Sequence, residues 1–149
     1  MYYSYVNDSD GGQAGLFPLL HAAGTAQGYV ESKLAVLGLS LPKLGALRVL
    51  SEAGEALPLG QLADRLSCVK SNITQLVDRL EADGFVTREQ DPNDRRARLA
   101  ALTVKGHKAF EEGTRLQQQT EQELFGSLTA EEGRQLASLL QKVQQRTGG

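Results

Sequence analysis

Between Lys70 and Thr103 the hydrophobic period of this chain changes from that of a helix to that of a strand, and few folds accommodate such a switch in so short a space. In KSNITQLVDRLEADG, Ile73, Leu76, Val77 and Leu80 fall on one helical face, and Gly84 supplies the residue type that ends helices. FVTREQ and RLAALT follow as short strand candidates on either side of DPNDRRA, whose Asp, Pro and Asn are turn formers. The expected product is a helix leading straight into a hairpin whose tip carries Arg95, Arg96 and Arg98. Just upstream, LGQLADRLS forms a shorter helical pattern on Leu62, Ala63 and Leu66, separated from the next helix by SCV.

The arginine tip is unexpected in a chain of formal net charge −2. Residues 1–60 hold three Lys or Arg against five acids and residues 109–149 four against six, whereas residues 61–108 hold nine against seven. Positive charge is therefore gathered in the middle, the pattern of a local contact with a polyanion and not of a globally basic coat. Helix, short turn, helix and basic hairpin make a winged helix-turn-helix. Its second helix is narrow enough for a major groove, and a thin ribbon can follow the backbone into the neighbouring minor groove. Guanidinium is the side chain best suited to forked contacts there.

The flanks are helical. Leu16, Leu19, Leu20, Ala23, Val30, Leu34 and Leu37 recur at helical spacing, with Gly38 as the stop. Ser40 and Pro42 open a second helix with Leu44, Leu47 and Leu50 inward and Gly54 past its end, and Pro58 closes the connection. Thr103 can cap a long fifth helix whose middle, EEGTRLQQQTEQE, is polar enough to be solvated on most faces. Thr129 and Glu132 stand at capping-box spacing ahead of Leu136, Leu139, Leu140 and Val143, which predicts a sixth helix. Residues 1–12 read as a flexible tail, and residues 40–103 as the winged helix-turn-helix domain, giving a mainly α fold of about six helices plus a two-stranded wing.

The 149 residues are enough for a single domain with its own core. Cys68 is alone, so no intramolecular disulfide can form, and a reducing cytoplasm is expected. With His21 and His107 the only histidines, no metal site is expected, and no cofactor-binding motif stands out. No segment approaches the ~18 apolar residues of a membrane span, and MYYSYVNDSDGG lacks the basic and apolar regions of a secretory leader. No nucleophile-base pair or phosphate-cradling glycine loop points to an enzyme.

Ile73 to Gly106, ITQLVDRLEADGFVTREQDPNDRRARLAALTVKG, resembles the MarR family of winged helix-turn-helix transcription regulators. It shares the recognition helix, the glycine after it, the Asp-Arg-Arg wing and the Leu-Thr-x-x-Gly that opens the next helix. The resemblance implies an intertwined homodimer, with residues 13–39 and 104–149 as the helical dimerisation region. Two winged domains would read a near-palindromic operator in double-stranded DNA, most simply as a repressor. Arg96 would then reach the minor groove, Asp94 would orient the wing, and Arg95 and Arg98 would flank it. On the recognition helix, Lys70, Ser71, Asn72, Thr74, Gln75 and Arg79 lie off the apolar face, where they can meet base edges or phosphates. As a set they point to DNA, although any one of them alone reads equally as a solvated residue.

The family's small aromatic or phenolic effectors direct attention to Tyr29, Arg48 and Phe110 as lining for a cleft, against the plainer reading of aromatics as core residues. The absence of tryptophan and of a histidine cluster disfavours the urate- and zinc-responsive branches. Cys68 lies between the two small helices, where a buried inert thiol is a better reading than a redox switch. The alternative to an operator-binding regulator is a winged-helix protein-interaction module.

Overall fold

The computed structural model describes residues 15–67 and 70–147. Tyr2, Tyr3, Tyr5 and the rest of the expected tail lie outside the described residues, as does Cys68. The order of elements is α1 (Leu16–Ala35), α2 (Leu41–Ala53), β1 (Leu57–Pro58), α3 (Leu59–Arg65), α4 (Lys70–Ala82), β2 (Val86–Asp91), β3 (Asp94–Leu102), α5 (Val104–Phe125) and α6 (Ala130–Thr147).

Local chemistry sets most of these boundaries. Ser40 caps α2 by accepting from the Lys43 N–H at 3.3 Å, Pro42 occupies the first turn where a missing N–H costs nothing, and Gly54 ends the helix at φ +68°. Gly84 ends α4 at φ +81°, and the Phe85 N–H donates to the Leu80 carbonyl at 2.9 Å as the chain reverses. Thr103 accepts from the Gly106 N–H at 2.9 Å and starts α5.

The core lies between α2, α3, α4 and the sheet. Leu44, Leu47, Leu50, Leu62, Ile73, Val77, Leu80, Val86 and Ala100 are all buried there, as the periodicity predicts for the helices. α5 closes one side of it. Its polar middle is exposed on most faces, as the sequence indicates, while Gly113 and Thr120 are buried on the remaining one. A Cβ on Gly113 would come within 2.8 Å of both Leu39 and Leu44, so the bare backbone is what allows α2 to seat against it. Thr120 satisfies its hydroxyl by donating to the Leu116 carbonyl one turn back.

The sheet has three strands in the order β1-β3-β2, where the sequence indicates a two-stranded hairpin. β1 pairs antiparallel with β3 at Leu57↔Ala100 and Pro58↔Leu99. Two residues, one of them proline, carry no period-two signal, and a proline is tolerated here because β1 is an edge strand.

Beyond this core the packing thins. Leu16, Phe17 and Leu20 of α1, Phe125 of α5, and Leu139, Leu140 and Val143 of α6 are exposed. No residue described in α6 is buried, and among the described elements none packs extensively against this helix. Three helices thus leave apolar faces uncovered.

Candidate nucleic-acid interface

Helical geometry divides α4 into three stripes. Ile73, Val77 and Leu80 are buried and Leu76 half-buried, which fixes the helix on the core. Asn72, Gln75 and Arg79 form a second, exposed stripe that faces away. Thr74, Asp78 and Glu81 form a third, on the side of the wing. The predicted polar set is therefore split: Asn72, Gln75 and Arg79 share a surface, while Thr74 sits beside β2. The side chains of Lys70 and Ser71 lie outside the described residues.

The wing is longer and its turn tighter than the sequence indicates. β2 and β3 enclose only Pro92 and Asn93, and Asp91 stabilises the turn by accepting from the Asn93 N–H at 2.8 Å. Asp94, Arg95, Arg96 and Arg98 thus lie in strand β3 and not in a loop. The pairing steps from Gln90↔Arg98 to Asp91↔Asp94, an irregularity that sets Arg95, Arg96 and Ala97 against a single step of β2. Within it the Asp94 carboxylate accepts from the Arg96 N–H at 2.9 Å, so Asp94 shapes the backbone that carries Arg96. Arg95, Arg96 and Arg98 are exposed, and among the described residues none of the three has a carboxylate partner.

The wing arginine that does hold carboxylates is Arg88, on β2. Its Nη2 donates to Asp78 Oδ1 at 2.5 Å and its Nη1 to Glu81 Oε1 at 3.1 Å, while its backbone N–H donates to Glu81 Oε2 at 3.2 Å. Reading for clustered arginines passes over it. Its partners Asp78 and Glu81 are two acids on a face of α4 that is neither core nor outward, and only the fold pairs them with Arg88.

Two exposed polar surfaces thus project from the helix-turn-helix and its wing, the outer stripe of α4 and the arginine-bearing distal part of β3. The sequence pattern of the MarR family matches residues 39–97, from just before α2 to the middle of β3. The HTH-type transcriptional regulator YkoM of Bacillus subtilis (strain 168) is 38% identical over 85 residues, 57% of this chain and 55% of its own length. A cysteine-to-serine mutant of MarR from E. coli, solved in complex with operator DNA, superimposes with a TM-score of 0.75 at 30% identity, covering 87% of this chain and 93% of that one. The chain belongs to the MarR family. The MarR-type fold extends to an organohalide-sensing regulator, RdhR-CbdbA1625, solved in its 2,4-dichlorophenol-bound form, with a TM-score of 0.80 at 21% identity over 88% of this chain and 78% of that one. The chain spans a little over half the length of the curated relatives it matches first, 55% of one and 58% of another.

In this MarR-type chain the three residues considered for an effector each hold a contact of their own. Tyr29 donates its hydroxyl to Glu123, and that carboxylate holds the phenol above its ordinary pKa. Arg48 donates to Gln117 at 2.6 Å, and Phe110 is half-buried against the core. Both polar contacts tie α1 and α2 to α5. A cleft of about 620 Å³ opens elsewhere, between the ends of α1 and α4 and the start of α5, with Leu37, Phe85, Lys105, Lys108 and Glu112 in its lining. No helix among the described residues is long and apolar enough to cross a membrane.

Proposed function

We propose that this chain is a sequence-specific DNA-binding transcription regulator, acting as a repressor on a near-palindromic operator in double-stranded DNA in the cytoplasm. The observation that carries this reading is the exposed arginine edge of β3, carried on a wing that is tied to α4. Arg95, Arg96 and Arg98 are exposed and have no carboxylate partner among the described residues, and Asn72, Gln75 and Arg79 are exposed on the outward stripe of α4. Residues 40–103 form the reading head: α4, with Lys70, Ser71 and Thr74 completing its polar set, enters the major groove, and Arg96 enters the flanking minor groove. Asp94 orients the wing through the Arg96 N–H.

The working form is a homodimer built by residues 13–39 and 104–149. The uncovered apolar faces of α1, α5 and α6 support this, since an exposed surface of that kind is stable only against a partner. A two-fold dimer places its recognition helices about one turn of DNA apart, ~34 Å. A small aromatic or phenolic effector would release DNA by preferring dimers in which that spacing is wrong. The dichlorophenol-bound relative of the same fold supports that effector class, with Tyr29, Arg48 and Phe110 as candidate contacts.

Fluorescence anisotropy against the DNA upstream of the protein's own gene, at two salt concentrations, tests the reading. Affinity is expected to fall steeply as salt rises, because neutralised phosphates release counterions. Arg96→Ala is expected to weaken binding by about tenfold or more. Weak binding that ignores both salt and the mutation would leave the fold as a protein-interaction module.

A further inference from the structure

The wing arginines can act only if the hairpin is held at a fixed angle to α4, and the structure contains a clamp at the right place for that. At its base the hairpin is anchored by backbone: Gly84 turns the chain at φ +81°, the Phe85 N–H donates to Leu80, and Thr103 donates its hydroxyl to the Gly84 carbonyl at 2.7 Å. β1 supports β3 as far as Leu99. Further out the ribbon has two strands only. Arg88, opposite Ala100, stands at that limit and reaches across to α4 with both arms of its guanidinium, one to Asp78 and one to Glu81.

We propose that Arg88 is a positioning residue for DNA recognition: by clamping β2 to Asp78 and Glu81 of α4, it sets the angle at which the wing presents Arg96. The inference rests on the DNA-binding reading given above.

Three observations carry it. The Arg88 side chain is only 22% exposed and both arms of its fork are engaged by carboxylates of α4, so its charge is directed at the protein and not at a phosphate. A third donation, from Nη2 to the Thr74 carbonyl at 3.4 Å, ties it to a further turn of α4. The leverage is large: at ~3.3 Å per residue the turn lies roughly 10 Å beyond Arg88, so a tilt of about 10° at the clamp moves the wing arginines by roughly 2 Å. That is enough to break a hydrogen bond to DNA. The pairing also explains why a helix facing DNA tolerates two exposed acids at all. Arg88 offsets one of the two negative charges that Asp78 and Glu81 would otherwise turn against phosphates.

The test uses the full chain and a duplex selected from random sequences by the wild-type protein. Arg88→Ala is expected to weaken binding by about tenfold in the wild-type background but by less than about threefold when Arg96→Ala is already present, because a residue acting through another loses its effect when that other is gone. Additive losses would overturn the proposal. The second variant, Asp78→Ala with Glu81→Ala, changes only exposed helix positions and so keeps the fold. Charge alone predicts tighter binding once two acids leave the DNA face, whereas loss of the clamp predicts weaker binding. Tighter binding would therefore overturn the inference while leaving the regulator reading intact. If the wild type selects no duplex in a salt-sensitive manner, the regulator reading fails and takes this inference with it.

Discussion

Gly106 shows how one residue can be demanded by two others. A Cβ there would sit 2.0 Å from the Phe85 carbonyl oxygen and 2.9 Å from Leu102 Cδ1, and the carbonyl belongs to a backbone already fixed by the turn after α4. Gly106→Ala is therefore expected to destabilise the chain by about 3 kcal/mol, measured by urea unfolding, since the Phe85 backbone cannot move aside cheaply. Gly84→Ala differs in kind: its nearest neighbour is the flexible Lys105 side chain at 3.5 Å, so the cost is backbone strain at positive φ, roughly 1–3 kcal/mol. The roles of Gly84 and Thr103 are legible in the sequence because caps are local chemistry. The reason for Gly106 is not, because Phe85 approaches it only after the chain has folded back.

Among the elements, α6 depends most on its own first turn. The Thr129 N–H donates to Glu132 Oε1 at 2.9 Å and the Glu132 N–H to Thr129 Oγ1 at 3.1 Å, the reciprocal box its spacing predicts. The bond from the Thr129 backbone holds the Glu132 carboxyl below its ordinary pKa. Its contribution is thus complete above the ordinary carboxylate range and lost as pH falls through the depressed folded value. Amide-exchange protection in the first turn of α6 should decline with acid in that window, and Glu132→Gln should flatten the dependence; wild-type protection indifferent to pH would show that the cap does not need the charge. The helices follow from period and caps, whereas β1 does not. A two-residue strand exists only because β3 lies beside it. The middle of α5 is exposed on most faces, as its polar composition signals; Gly113 buries by having no side chain, and Thr120 by bonding to its own helix.

Over the whole molecule, the uncovered faces of α1, α5 and α6 make assembly the main expectation. Sedimentation should give a dimer, and Leu139→Glu with Val143→Glu should shift it toward monomer, because two charges on a buried seam cannot find partners. The same variant should bind operator DNA at least about tenfold more weakly, since each half-site contact would then be paid for separately. A variant that stays dimeric would place the interface elsewhere. By itself the sequence determined the helices, their caps, the order of helix-turn-helix and wing, and the concentration of arginine at residues 95–98, because periodicity, capping and charge are properties of neighbours along the chain. Tertiary structure decided which arginine is tied to carboxylates among the described residues and which is not. Arg88 looks no different from Arg95, Arg96 or Arg98 in one dimension, and only the packing of β2 against α4 brings Asp78 and Glu81 within reach of it. An ion pair between elements is a distance in space, and no spacing along the chain encodes it.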